Sequence, residues 1–348
     1  MGKYMKLFNT RFIPIKYALC IALSIIYSEN TYANTSKNTK SNKTNILQLY
    51  LKQERSKAGL SSKTIKVGDI LWTYNEGGDT AKPSVLLIHG LAGTRDHWNK
   101  VAHYLTPHYH VIAPDLPTNG DTSVPDNFDT SIPNITSELR NFAQTIKIDQ
   151  DLNIAGHSFG GPIATVYASQ YPFDTQSLFL LSSAGIYKQA STSYAKNPET
   201  LKNLLVYKQG DFNNAIYKLM TNPPNIASEL KLAQEQILMS KSSKTKQAID
   251  QIVKLNRIYT PDTFAQLTRN VEAPTLIMWG KQDQIINYEV ANELQTLLKR
   301  AEKPIILNNI GHMPIIEAEK LVAQHYLPFL SKTQNLKNPL ADKLIPFN

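Results

Sequence analysis

The stretch "NIAGHSFGGPIA" (153–164) decides how the chain is read. A short apolar run reaches Gly156-His157-Ser158-Phe159-Gly160, and a run carrying Pro162, Ala164 and Ala168 follows. A plain Gly-rich turn between a strand and a helix would account for the glycines. A turn sharp enough to push one hydroxyl out of the protein asks for more. The residues two before and two after the serine then nearly touch, and glycine at 156 and 160 removes the side chains that would collide. Ser158 is held at the tip in a strained conformation, and such strain collects where function needs it. Pro162 suits the first turn of a helix, where its missing N–H costs nothing. Ala164 and Ala168 extend the small side begun by Gly160, so the helix can lie close to a sheet.

The surroundings favour the second reading. "SVLLIHG" (84–90), "HVIAPDLP" (110–117), "LNIAG" (152–156), "SLFLLSS" (177–183), "PTLIMWG" (274–280) and "PIILNNIG" (304–311) are short apolar runs. Runs of that kind are strands buried on both faces. Helical patterns lie between or after them at 97–105, 131–147, 160–171, 288–299 and 316–330. "TIKVGDILWTYNEGG" (64–78) reads as a hairpin or paired strands ahead of the first run. This alternation predicts an α/β fold, a mainly parallel central sheet flanked by helices, built from residues 59–185 and 273–330. From Ile186 to Glu272 no buried strand appears, and 87 residues are too many for a simple crossover. That interval is expected to be a helical cap inserted above the sheet's end. Residues 331–348 read as a C-terminal tail.

A serine hydroxyl is a weak nucleophile without a base, and the base needs an acid to orient it. Asp283 follows the strand at 274–279, and His312 follows the strand at 304–308. Both therefore fall at carboxyl ends of strands, the edge that carries Ser158. Asp115 and Asp262 do not follow the right strand in that order. An oxyanion formed on a substrate carbonyl needs backbone donors. The N–H of Phe159, directly after the serine, is one. The N–H of Leu91 is the second, because Gly90 lets that loop approach. His89 is read as shaping this loop by hydrogen bonding. His157 is expected to wall a substrate pocket, together with Met220, Pro223, Pro224 and Ile226 of the cap. His103, His108 and His110 lack the carboxylate partners and helical spacing of a zinc site. The chemistry calls for no metal and no cofactor.

On "LLIHGLAG", "VIAPDLP", "GHSFGG", "WGKQD" and "GHMP", over about residues 60–330, the chain resembles the α/β-hydrolase superfamily. The order Ser158, Asp283, His312 is the order that superfamily uses. More narrowly it resembles bacterial lipases and esterases and monoacylglycerol-lipase-like serine hydrolases, through "AGLSSKTIKVGDILWTY" (58–74) and the paired prolines 223 and 224. The resemblance implies an α/β-hydrolase fold with an inserted cap and the cleavage of short- to medium-chain acyl esters, monoacylglycerol or other lipid-like esters. One departure is "TNGDTS" (118–123), where such enzymes carry a Gly-aromatic-Gly run. Hydrolysis of C–C bonds in ring-cleavage products uses the same residues and cap and is the alternative reading. A non-catalytic binding protein on the same fold is the alternative from another class. Dehalogenases and epoxide hydrolases resemble the fold with aspartate where this chain has Ser158, which sets them aside.

Composition bounds the rest. The 348 residues are 42% hydrophobic and only 19% charged, ample for a large core and unlike a disordered chain. The net charge is +9, carried by scattered lysines without an aromatic-interleaved basic stripe. That argues against nucleic acid as a partner, while leaving room for contact with a membrane or lipid surface. Residues 1–33 carry Lys3, Lys6, Arg11 and Lys16, then the apolar run "YALCIALSIIY" (17–27), then "SENTYA". This is the three-part order of a signal peptide, and the run is too short to span a bilayer unaided. The expectation is export to the periplasm or medium after cleavage, with an N-terminal membrane anchor as the alternative. Without that segment the net charge is +6, and the single cysteine, Cys20, is gone, which leaves no disulfide framework and no thiolate chemistry. Residues 34–58 read as a polar linker followed by a short amphipathic helix.

Overall fold

The computed structural model describes residues 38–117, 120–188, 198–255 and 258–336. The segment read as a signal peptide lies outside the described residues; of the tail read over 331–348, residues 331–334 instead continue the last helix (Glu319–Gln334) and residues 337–348 lie outside the described residues. The chain divides into two units, Met1–Asn42 and Lys43–Asn348.

Eight strands form one sheet: β1 (Leu60–Val67), β2 (Ile70–Gly77), β3 (Ser84–Ile88), β4 (His110–Pro114), β5 (Leu152–His157), β6 (Thr175–Leu181), β7 (Thr275–Gly280) and β8 (Ile305–Leu307). Their order is β1-β2-β4-β3-β5-β6-β7-β8. β2 runs antiparallel to both β1 and β4, and every other pairing is parallel. The order reverses around β3, which lies between β4 and β5. Ligands of open α/β sheets bind outside the carboxyl ends of the strands at such a reversal.

Burial on both sides explains the unbroken apolar runs. Alternate residues of one strand enter opposite cores, Leu86 and Ile88 on one side, Val85 and Leu87 on the other. The first core takes α3 (Ile132–Thr145), α4 (Gly160–Gln170) and α8 (Val290–Leu297), through residues such as Leu139, Phe142, Ile163, Val166 and Leu294. The second takes α2 (Asn99–Leu105) and α10 (Glu319–Gln334), through Val101, Leu105, Tyr326 and Phe329. Local chemistry sets the ends of these helices. The Ser131 hydroxyl accepts the N–H of Asn134 at the start of α3, beside Pro133. The run predicted as one helix over 316–330 is two, the single turn α9 (Pro314–Glu317) and then α10. The strand predicted over 304–308 spans Ile305–Leu307, and Asn309 turns the chain with φ of 61°.

The N-terminal helix α1 starts at Asn38, inside the polar stretch read as a linker, and runs to Lys57. Leu47 is buried, and the Arg55 guanidinium pairs with both Asp96 carboxylate oxygens at 2.8 Å. Asp96 also accepts from Asn75 and Asn99, so its charge is satisfied below the surface.

Between β6 and β7 the chain makes a 3-10 turn (Pro198–Leu204), α5 (Asp211–Leu219), α6 (Ser228–Leu255) and α7 (Pro261–Arg269), and no strand appears among the described residues there. The Glu235 carboxylate on α6 accepts the N–H groups of Gly210 and Phe212, covering the positive N-terminal end of α5. The last helix differs from its neighbours. α7 packs on α4, and Phe264 and Val271 belong to the first core, so by packing this end of the insertion is part of the sheet's own helical layer.

Candidate active site

Ser158 follows β5 directly and precedes α4. Its φ is 51°, the left-handed region that a non-glycine residue adopts only when its surroundings force it. A Cβ on Gly156 would overlap the Gly160 carbonyl, and a Cβ on Gly160 would overlap the Ile88 carbonyl. The Ser158 carbonyl accepts the N–H groups of Gly161 and Ala184, and the Ser158 N–H donates to Leu181, which fixes the turn from both sides.

The tertiary structure brings His312 and Asp283 to this serine. His312 Nδ1 lies 2.8 Å from Asp283 Oδ2, and His312 Nε2 lies 2.8 Å from Ser158 Oγ. A carboxylate only accepts, so Nδ1 carries the proton, and Nε2 is left to accept from the serine hydroxyl. The Asp283 side chain is fully buried and that of His312 nearly so. The other Asp283 oxygen accepts the N–H groups of Ile285 (2.8 Å) and Ile286 (2.9 Å). The carboxylate is therefore held in one orientation.

Gly90 and Leu91 lie beside the serine. A Cβ on Gly90 would come within 2.9 Å of Ser158 Cβ. The Gly90 carbonyl receives His89 Nδ1–H (2.7 Å) and the Gly93 N–H (3.0 Å), while His89 Nε2 accepts from the Leu116 N–H (2.9 Å). Pinning that carbonyl also pins the far side of the same peptide, the Leu91 N–H, because the peptide is planar and trans. Among the described residues neither the Leu91 nor the Phe159 N–H donates to another group. Burial lowers the His89 pKa to about 4, so the imidazole is neutral and keeps one tautomer. Asp115 stands behind this loop. It accepts the Arg95 N–H (2.7 Å), pairs with the Arg95 guanidinium, and accepts the Asp121 N–H (2.7 Å).

His157 and Met220 take places different from those expected. His157 is 2% exposed, and its Nε2–H donates to the His312 carbonyl at 2.8 Å. A buried ring that holds the backbone of His312 has no face left for a substrate. Met220 is buried in the second core with Leu307, Ile310 and Met313, beneath the histidine loop. Pro223, Pro224 and Ile226 stay half-buried in the irregular segment between α5 and α6. Among the described residues, several links tie the insertion to the loops around the serine. Leu91 packs against Leu201, Leu205 and Ile249, and Lys241 Nζ donates to the Gly120 carbonyl at 2.9 Å. The sequence reading missed Glu317, which accepts from both the insertion and the histidine loop. Its spacing of five residues after His312, past Pro314, is the only trace of it in the sequence.

A strained serine at the end of β5, an imidazole and a carboxylate from loops after β8 and β7, and the sheet order define a hydrolase of one architecture. The chain belongs to the family with the alpha/beta hydrolase fold, whose model matches residues 83–319. Among its relatives, Lipase 1 of Psychrobacter immobilis is 31% identical over 291 residues, covering 82% of this chain and 89% of that protein. The crystal structure of the candidate lipase lip1 of Acinetobacter baumannii AYE is 53% identical, with a TM-score of 0.81 over 88% of this chain and 99% of that one. A bacterial membrane phospholipase A is 31% identical, with a TM-score of 0.79 over 85% of this chain and 93% of that one.

Proposed function

We propose that this carboxylic ester hydrolase works through a covalent acyl-enzyme on Ser158, with His312 as base and Asp283 as the group that orients it. The observation that carries this reading is the unbroken Asp283–His312–Ser158 chain of 2.8 Å hydrogen bonds on a strained serine. Ser158 Oγ attacks the acyl carbonyl and passes its proton to His312 Nε2. The oxyanion is received by the N–H groups of Leu91 and Phe159. His312 then gives the proton to the leaving alcohol, and in the second half activates water against the acyl-serine. Asp283 stabilises the imidazolium that forms in each half.

The substrate reading is short- to medium-chain acyl esters and monoacylglycerols, with the insertion as a cap over the acyl group. Half-buried Pro223, Pro224, Ile226, Leu238 and Met239 supply apolar surface on that insertion. The names of the relatives, lipase and phospholipase A, support a lipid ester. Residues 1–33 are read as the export signal, and the partner as a small ester or a lipid surface. No described helix is long and apolar enough to cross a membrane.

A fluorophosphonate tests the core of the reading. One equivalent is expected on Ser158, with loss of p-nitrophenyl butyrate hydrolysis. Mass addition to Ser158→Ala, or ester hydrolysis by that variant, moves the nucleophile elsewhere. Sequencing of the protein's N-terminus after expression in a Gram-negative host tests export. Loss of about the first 30 residues is expected, and an intact Met1 on membranes would favour the anchor.

A further inference from the structure

Glu317 is bound from two directions. Its Oε1 accepts the Gly311 N–H at 3.0 Å, one residue before the histidine. Its Oε2 accepts the N–H groups of Thr221 at 2.8 Å and Asn222 at 2.9 Å, in the insertion. Two further bonds run beside it. The His312 N–H donates to the Leu219 carbonyl at 2.7 Å, and Asn222 Nδ2 donates to the Asn309 carbonyl at 2.7 Å. The approach is close enough that a Cβ on Gly311 would fall 2.8 Å from the Leu219 oxygen, 2.9 Å from the Thr221 nitrogen and 3.0 Å from Glu317 Oε1. The end of α5 and the histidine loop are thus one hydrogen-bonded unit, with Glu317 at its centre.

We propose that Glu317 is a positioning residue for the reaction: by joining residues 219–222 of the insertion to residues 309–312, it sets the place of His312 relative to Ser158. The proposal deepens the function proposed above and rests on His312 being the base. The physical argument is geometric. His312 sits in a loop after a strand of only three residues, so the strand itself gives it little support. Its ring is aligned by Asp283, and its backbone is held by His157, by Leu219 and, through Gly311, by Glu317. Three N–H groups converge on one carboxylate, and only an acceptor with two oxygens free of protons satisfies all three. Glutamine keeps the volume but turns one acceptor into a donor that faces N–H groups. The loop must then give way, and a displacement of about 1 Å at a reacting group costs on the order of a hundredfold in rate.

The consequence is that this edge of the insertion is not a free lid. The first turn after α5 is fixed to the catalytic base, and any opening of the insertion must hinge elsewhere.

The test is Glu317→Gln assayed on p-nitrophenyl acetate and butyrate, with rates expressed per active site titrated by a fluorophosphonate. The expected result is a kcat lowered at least tenfold, with KM within about threefold of the parent for both esters, as for loss of transition-state alignment rather than binding. Asn222→Ala, at an exposed position, removes one bond from the other side of the same unit and is expected to lower kcat about threefold or more. Asn222→Ala decides the matter if Glu317→Gln does not fold. A parental kcat per titrated site in the variants would overturn the proposal, because a merely structural carboxylate would change the folded fraction and leave turnover alone. Ser158→Ala separates the two failures. Activity surviving there overturns the catalytic reading and this proposal with it. An inactive Ser158→Ala beside normal turnover in the variants overturns this proposal only.

Discussion

His89 must remain neutral for its two hydrogen bonds to survive, since Nδ1–H is donated to Gly90 while Nε2 accepts from Leu116. Its pKa is about 4 in the folded chain, and an unfolded histidine titrates near 6.5. The unfolded state therefore binds the proton first as the pH falls. Stability from this residue is complete above about pH 6.5 and is lost progressively toward pH 4, amounting to roughly 3 kcal/mol. His157, also buried and pushed well below its ordinary value by burial, acts in the same direction. Urea unfolding between pH 7 and 4 is expected to show this loss, and His89→Gln to shed about one proton's share of the slope. An identical slope in the variant would place the acid sensitivity in other groups. At the same scale, Asp283→Asn presents a donor to His312 Nδ1 and so selects the wrong tautomer. A fall in kcat of about four orders of magnitude is expected, and combining it with His312→Ala should add little, since the proposed mechanism makes the three residues one unit. Near-parental turnover of Asp283→Asn in a stopped assay would assign the acid's role to another carboxylate.

Among the elements, α1 and the insertion depend on a few long-range contacts. The buried Arg55–Asp96 pair joins α1 to the chain after β3. Removing one partner of such a pair leaves a buried charge, and Arg55→Ala is expected to cost about 3 kcal/mol. Asn75 and Asn99 still donate to Asp96, which keeps the loss at the lower end for a pair of this kind. Chemical denaturation measures it, and a change under about 0.5 kcal/mol, the range of ordinary surface substitutions, would show that α1 is held by apolar contact alone. Both features explain what was legible at this scale. Helices and strands were readable from apolar period, because the inner strands are buried on both faces and helices such as α3 on one. α1 starts earlier than its polar sequence suggests, since the packed half at Leu47 and Arg55 provides the nucleus from which a helix propagates. β8 is shorter than its apolar run because that run continues into the turn at Asn309.

For the whole molecule, the proposed function makes the insertion the part that selects among esters. Leu91, whose N–H is one proposed oxyanion donor, packs against Leu201, Leu205 and Ile249 of that insertion. Apolar cover of this kind favours acyl chains, each buried CH₂ adding up to about 0.8 kcal/mol. Cover also limits size, and Glu317 fixes one edge of it. The expected profile of kcat/KM rises from two carbons to a maximum at medium length and falls before sixteen, with weak activity on triacylglycerol emulsions. A profile climbing steadily to sixteen carbons, with sharp activation at the oil surface, would make the insertion a mobile lid.

By itself the sequence determined the α/β alternation, the tight turn at Ser158, and the places of Asp283 and His312 just after strands at the same sheet edge. Each follows from local chemistry: apolar period, glycines where a backbone turns back on itself, polar residues directly after strands. Only the tertiary structure decided that His157 supports His312 from within, that Met220 belongs to the core, that α7 joins the sheet's helical layer, and that Glu317 binds Thr221 and Asn222. Those outcomes depend on groups up to 155 residues apart meeting in space, as His157 and His312 do. A residue's neighbours along the chain carry no record of such meetings, because they arise from how the β6–β7 insertion and the loop after β8 pack together at one end of the sheet.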